Sequence, residues 1–222
     1  MSPAVDLPQP QPLDNGLIVV FEGIDGVGKT TQIKLAQEAL QTAGWTIDIT
    51  RNLGGTPIGE ALRDVIKSPL ERPGLTNLYI SAAIQEALIE KINKARQESK
   101  FILMDRGPLS LAAYAVFGDR QEESLGWPFV ERGMAEIKPE LIIIYEADVE
   151  NALQHAQQKG EKADYFESKP HDYFERVAEG YRRIAERYPS VIRIDANQSL
   201  EAVHQETMQH IQQALAGKLT PS

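Results

Sequence analysis

Leu17-Ile18-Val19-Val20-Phe21-Glu22-Gly23-Ile24-Asp25-Gly26-Val27-Gly28-Lys29-Thr30-Thr31 is the stretch that decides the fold. Its first five residues are apolar without alternation, the mark of a strand buried on both faces. The next residues spell the full glycine-x-x-x-x-glycine-lysine-threonine pattern, from Gly23 to Thr30. A helix then follows from Lys29, with Ile33, Ala36, Leu40 and Ala43 on one face and Gly44 at its end. Strand, glycine loop and helix start are the context in which this pattern cradles phosphate. The glycines turn backbone amides inward, and the helix N-terminus adds a field that favours anions. Lys29 supplies a point charge to the phosphates, and Thr30 offers a hydroxyl to magnesium. The plain alternative is a glycine-rich turn with an exposed lysine. The motif predicts a nucleoside triphosphate site, without distinguishing hydrolysis from transfer.

Outward from this core, further strands are expected at Trp45–Arg51, Phe101–Met104, Leu141–Tyr145 and Val191–Ile194. Helices are expected at Glu60–Lys67, Asn77–Gln97, Leu111–Phe117, Glu150–Gln157, His171–Arg187 and from Leu200 to Leu215. Gly118–Gly126 reads as a polar loop. Five strands interleaved with helices describe an α/β fold, a parallel sheet with helices on both faces. Residues 1–16, with prolines at 3, 8, 10 and 12, read as a flexible leader, and 217–222 as a frayed tail. One domain over 17–216 is expected, with the charged insertion 158–170 as a lid.

The chain has 222 residues, no cysteine and a formal charge of -9. Thiolate nucleophiles, disulfides and sulfur-held metals are thereby excluded, and broad nucleic-acid binding is disfavoured. Residues 1–15 lack the basic start and apolar stretch of a secretory signal, and no segment has the continuous apolar length of a membrane span. The expectation is a cytoplasmic protein with no nucleic-acid or membrane partner. The four histidines form no compact ligand pattern, so magnesium held by ATP and oxygen ligands is expected, not zinc.

Asp105-Arg106 ends the third expected strand, at the sheet edge where ligands gather. Asp105 is placed to hold magnesium or its waters, and Arg106 to bind the transferred or accepting phosphate; a helix-entry salt link is the alternative. Arg51 ends the second strand and offers a clamp from the other side, or is a surface arginine. Asp25 faces an acceptor sugar or closes a local turn. Lys159, Lys162 and Lys169 supply charge to a lid that excludes water, or are solvated.

Taken with Gly54-Gly55-Thr56-Pro57-Ile58-Gly59-Glu60, Ser110, Ala113-Tyr114, Phe166-Glu167 and Tyr173-Phe174-Glu175-Arg176-Val177, these residues resemble the thymidylate kinase family. The resemblance runs from Leu17 to His210. It implies ATP-dependent phosphorylation of thymidylate (dTMP) to its diphosphate, magnesium dependence, a mobile lid and a homodimer. It implies that residues Gly23, Ile24, Asp25, Gly26, Val27, Gly28, Lys29, Thr30 and Thr31 hold ATP. Thr30 and Asp105 would arrange magnesium, and Arg51 and Arg106 would engage phosphate. Asp25 would approach the deoxyribose, and Ser110 and Tyr114 the nucleotide pocket.

The chain departs from the family pattern in several places. Asn52-Leu53 replaces glutamate-proline, and Gly107 stands for a tyrosine or histidine. Aligned from Asp105, Ser81 falls where a stacking phenylalanine is usual, and Gln85 where an arginine faces thymine. Tyr165 stands where a lid arginine is common. These changes leave transfer to another nucleotide or small phosphorylated acceptor as an alternative. A nucleotide-binding regulatory protein is a second alternative and a switch-like NTPase a third.

Overall fold

The computed structural model describes residues 7–158, 165–166 and 168–219. Its five strands are β1 (Leu17–Glu22), β2 (Ile47–Arg51), β3 (Phe101–Asp105), β4 (Leu141–Glu146) and β5 (Ile192–Asp195). They form one sheet in the order β2-β3-β1-β4-β5, and every neighbouring pair is parallel. Residues 17–22 of β1 are wholly buried, which explains the unbroken apolar run of its first five. The chain leaves the central strand toward both sides, so the crevice at the carboxyl end of β1 is the natural ligand position. Register places Arg51 beside Asp105 and Asp105 beside Phe21, gathering three strand ends along that edge.

The helices are α1 (Lys29–Thr42), α2 (Pro57–Lys67), α3 (Gly74–Gln97), α4 (Pro108–Leu111), α5 (Glu123–Ile137), α6 (Val149–Gln157), α7 (His171–Arg187) and α8 (Leu200–Leu219). Helix α2 begins earlier than expected because Thr56 caps it. The Thr56 hydroxyl accepts from the Gly59 amide at 3.0 Å, and Pro57 occupies the first helical position. On α3, Leu78, Ile84, Leu88 and Ile92 are fully buried, so that helix spends an apolar face on the core.

Four expectations change. The helix expected at Leu111–Phe117 continues α4 as a π-helix, Ala112–Gly118, a wide turn common at functional sites. The loop expected at Gly118–Gly126 ends early, since α5 starts at Glu123. Gly126, Pro128 and Gly133 hide its helical character, yet the glycines let it approach closely. A Cβ at Gly126 would lie 2.3 Å from Val116, and one at Gly133 2.8 Å from Gln85. The leader is docked from Leu7 onward: Leu13 is buried, and Trp45 Nε1 donates to the Pro8 carbonyl at 3.0 Å. At the other end α8 runs on to Leu219, and Lys218 pairs with Glu140 at 3.0 Å. No described helix is long and apolar enough to cross a membrane.

Candidate active site

The glycine loop between β1 and α1 is shaped by what lies behind it. Gly26 has φ +84°, and a Cβ there would come within 1.8 Å of the Ala152 carbonyl on α6. Lys29 opens α1, and its side chain folds back over the loop. Its Nζ donates to the carbonyls of Gly23 at 3.0 Å and Ile24 at 2.7 Å. Burial, with Arg106 next in weight, pushes the Lys29 ammonium down to about 8. Thr30 and Thr31 are exposed on the first turn, while Ile24 packs into the core. Gly26, Val27, Gly28 and Thr31 border a cleft completed by Asn151, His155 and Asn197.

Arg106 follows β3 with a left-handed backbone, φ +61°. Its Nη1 donates to the Gly23 carbonyl at 2.8 Å, the same oxygen that Lys29 uses. Nη1 also reaches Tyr181 OH at 3.1 Å and Ser110 Oγ at 3.3 Å. Nη2 donates to Asp25 Oδ1 at 2.7 Å and Tyr114 OH at 2.8 Å. Tyr114 OH donates in turn to Asp25 Oδ2 at 2.8 Å. Burial would raise the Asp25 carboxyl, but Arg106 and then Lys29 outweigh it and hold it well below the usual range. Both Asp25 oxygens are therefore engaged by protein groups.

Sequence reasoning gave Glu22 no role. It is fully buried and accepts from the Gly107 amide (2.9 Å), the Ser110 amide (3.1 Å), Ser110 Oγ (2.5 Å) and Tyr181 OH (3.0 Å). Burial pushes its carboxyl up, against the pull of Ser110 and Arg106. The available signal was a carboxylate closing an otherwise apolar strand. Glu22 anchors the start of α4 and sets the Ser110 and Tyr181 hydroxyls against Arg106.

A second pocket opens beside this cluster. Asp25 and Arg106 form its inner end, Ser110, Leu111, Tyr114, Ala115 and Asp119 one wall, and Asn77 and Ser81 the wall from α3. Arg63 and Lys67 of α2 line it too, and Phe166 covers it, edge-on to Tyr114 with ring centroids 5.9 Å apart. Of the acceptor residues expected, Asp25, Ser81, Arg106, Ser110 and Tyr114 meet here. Two do not. Arg51 is half-exposed and ion-paired to Glu60 at 2.6 Å, and does not line the pocket. Gln85 is fully buried, and its Nε2 donates to the Phe129 carbonyl at 2.7 Å. Asp105 Oδ1 is buried with no hydrogen-bond partner among the described residues. Lys159 and Lys162 lie outside the described residues; Lys169 donates to Tyr165 OH at 2.8 Å.

A family model described as thymidylate kinase matches residues 21–207. The chain belongs to the thymidylate kinase family. It is 32% identical over 204 residues to the thymidylate kinase of Pelotomaculum thermopropionicum, covering 90% of this chain and 94% of that one. It is 32% identical over 212 residues to that of Alkalilimnicola ehrlichii, covering 94% and 96%. The crystal structure of thymidylate kinase from Ehrlichia chaffeensis has the same fold, with a TM-score of 0.68 at 24% identity over 88% of this chain and 98% of that one.

Two of the departures noted above, at Asn52-Leu53 and at Gly107, meet in space. Leu53 has φ +59°, which a proline ring, fixed at about −65°, cannot adopt. Asn52 Nδ2 donates to the Gly107 carbonyl at 3.0 Å, and the Asn52 amide donates to the Asp105 carbonyl at 2.9 Å. At Gly107 any Cβ would sit 2.7 Å from Val20 Cγ1 inside the buried sheet. Gly107→Ala is therefore expected to cost about 1–3 kcal/mol by overpacking, read as a lower midpoint in urea unfolding.

Proposed function

We infer that this protein transfers the terminal phosphoryl group of ATP to thymidylate, giving ADP and thymidine diphosphate. The observation that carries this reading is the convergence of Lys29 and Arg106 on the Gly23 carbonyl, where the phosphate loop meets the second pocket. An anion arriving there meets two buried cations already oriented, and the loop carbonyls yield them to stronger acceptors.

In the reaction an oxygen of the acceptor phosphate forms the new bond to the γ-phosphorus, while the bond to the β–γ bridging oxygen breaks and leaves with ADP. The acceptor phosphate is already ionised, so no strong general base is required. Lys29 and Arg106 hold the phosphates in line and balance their charge. Tyr114 and Asp25 fix the Arg106 fork, and Phe166 shields the acceptor pocket from water. Arg51 joins when an acceptor phosphate competes with Glu60 for it.

Magnesium belongs to the same reading. Asp105 Oδ1, without a hydrogen-bond partner among the described residues, and the exposed Thr30 at the loop–helix junction fit a hydrated cation among phosphate oxygens. No group of three or more His, Cys, Asp or Glu able to hold a metal occurs among the described residues. When bound, the ion supplies further charge neutralisation to the phosphates. A lid over 158–170, most of which lies outside the described residues, a cytoplasmic location and a homodimer complete the proposal. The homodimer rests on the resemblance and on Ile58, Val65, Leu70 and Tyr79, exposed on α2, on α3 and between them.

A second reading, transfer to a different nucleoside monophosphate, is favoured by Ser81 at the stacking position and Gln85 turned away into the core. One assay tests both: purified protein with ATP, magnesium and each monophosphate in turn, following ADP. Fast turnover with dTMP is expected. Equal slow ADP release with every acceptor would defeat transfer.

A further inference from the structure

The acceptor pocket ends in a carboxylate that the chemistry above does not use. Ser110, Tyr114 and Asp119 recur along one face of α4 and its π-helical continuation, opposite Asn77 and Ser81 of α3. Nine steps separate Ser110 from Asp119, about 13 Å at the α-helical rise. That is about the reach of a nucleoside monophosphate from its phosphate to the far edge of its base. With the phosphate on Arg106, the base points toward Asp119.

Asp119 is held in place. Its Oδ2 accepts from Asn77 Nδ2 at 3.0 Å, and Asn77 Oδ1 accepts from Arg72 Nε at 2.6 Å, which fixes the amide's orientation. Gly74 packs against it, since a Cβ there would lie 2.8 Å from Asp119 Cβ. Its Oδ1 makes no hydrogen bond with any described residue. Three cations surround the carboxylate, and each is committed elsewhere. Arg72 binds Asn77 and the carbonyls of Ile66, Ser68 and Leu70; Lys169 binds Tyr165 OH; Arg176 binds the Gly118 carbonyl and Asp172. Burial pushes the Asp119 carboxyl up, and the Asn77 hydrogen bond and these cations oppose that rise without occupying its second oxygen. An acceptor-only oxygen at the end of a pocket selects a ligand that brings an N–H.

We propose that Asp119 is a specificity-determining residue of the acceptor site, its Oδ1 accepting the hydrogen bond of a base ring N–H, which in thymine is N3–H. The proposal rests on the thymidylate-transfer reading. Its test compares kcat/KM for dTMP and for dTMP methylated at N3, in the wild type and in Asp119→Ala. The wild type is expected to prefer dTMP by roughly 10- to 100-fold, the range for a hydrogen bond to a charged group. Asp119→Ala brings the ratio close to one, mainly by lowering the dTMP value, because the smaller side chain leaves room for the methyl. A ratio retained in Asp119→Ala would mean that the N–H is read elsewhere and would overturn the proposal.

Should Asp119→Ala not fold, Asp119→Asn serves in its place. The Asn77 amide obliges the new carboxamide to turn its oxygen away from the pocket and its NH₂ inward, donor against donor. The preference is again lost, and its retention again overturns the proposal. A wild-type enzyme that phosphorylates neither acceptor ends the transfer reading itself, and this proposal with it, before any variant is made.

Discussion

Arg106→Ala is expected to lower kcat by at least about 10³-fold, the scale of an arginine that stabilises a transferring phosphoryl group. It is also expected to destabilise the protein by about 3 kcal/mol, the lower end for breaking a buried ion pair. The lower end applies because the Asp25 side chain is one-third exposed. The two losses share a cause. Arg106 links the Gly23 carbonyl, Ser110, Tyr181, Asp25 and Tyr114, and its removal leaves Asp25 facing only Tyr114 and the more distant Lys29.

The stability loss has a pH signature. Arg106 depresses the Asp25 carboxyl, so its contribution is present above the ordinary aspartate range and disappears as pH falls through the folded value. Urea unfolding of the variant should differ most from wild type near neutrality and least in strong acid. Arg106→Lys keeps the charge but not the planar fork, and cannot reach all five partners. It should recover stability better than rate. A folded Arg106→Ala protein with kcat within tenfold of wild type would remove Arg106 from the phosphate site.

How far the site was legible depended on the separation between partners. The β1–loop–α1 unit was read correctly because all its determinants lie between Leu17 and Gly44. Ser110 and Tyr114 reach the pocket by helical spacing from Arg106, again a local relation. Glu22 stayed hidden because its donors, Gly107, Ser110 and Tyr181, lie 85, 88 and 159 residues away. Gln85 lies away from the pocket for a related reason. Its partner is the Phe129 carbonyl on α5, a helix masked by Gly126, Pro128 and Gly133, so no helix was expected there to draw the side chain away. Arg51 stands outside the pocket for a different reason: Glu60 is only nine residues on and pairs with the guanidinium at the strand end. The Asn52–Gly107 contact brings two departures from the family pattern, apart in sequence, together in space.

Lys29→Met should separate chemistry from folding more cleanly than any other variant. A loss of roughly 10²–10³ in kcat is expected from removing one preorganised charge at the transferring phosphate. Stability without nucleotide should not fall near neutral pH. The Lys29 ammonium is held down to about 8 by burial, so in the empty protein its charged form is disfavoured relative to the unfolded chain. That penalty is present at neutral pH and fades as pH rises through about 8 toward the ordinary lysine value. ATP reverses the balance, because its phosphates favour the charged form and raise the Lys29 value. Above pH 8 binding must then be accompanied by uptake of a fraction of a proton, and affinity must fall as pH rises. Calorimetric titrations at pH 8.5 in two buffers of different ionisation enthalpy read the uptake directly, and Lys29→Met should abolish it. Equal uptake in wild type and variant would place the titrating group elsewhere, and the buried lysine would no longer account for how the loop receives its anion.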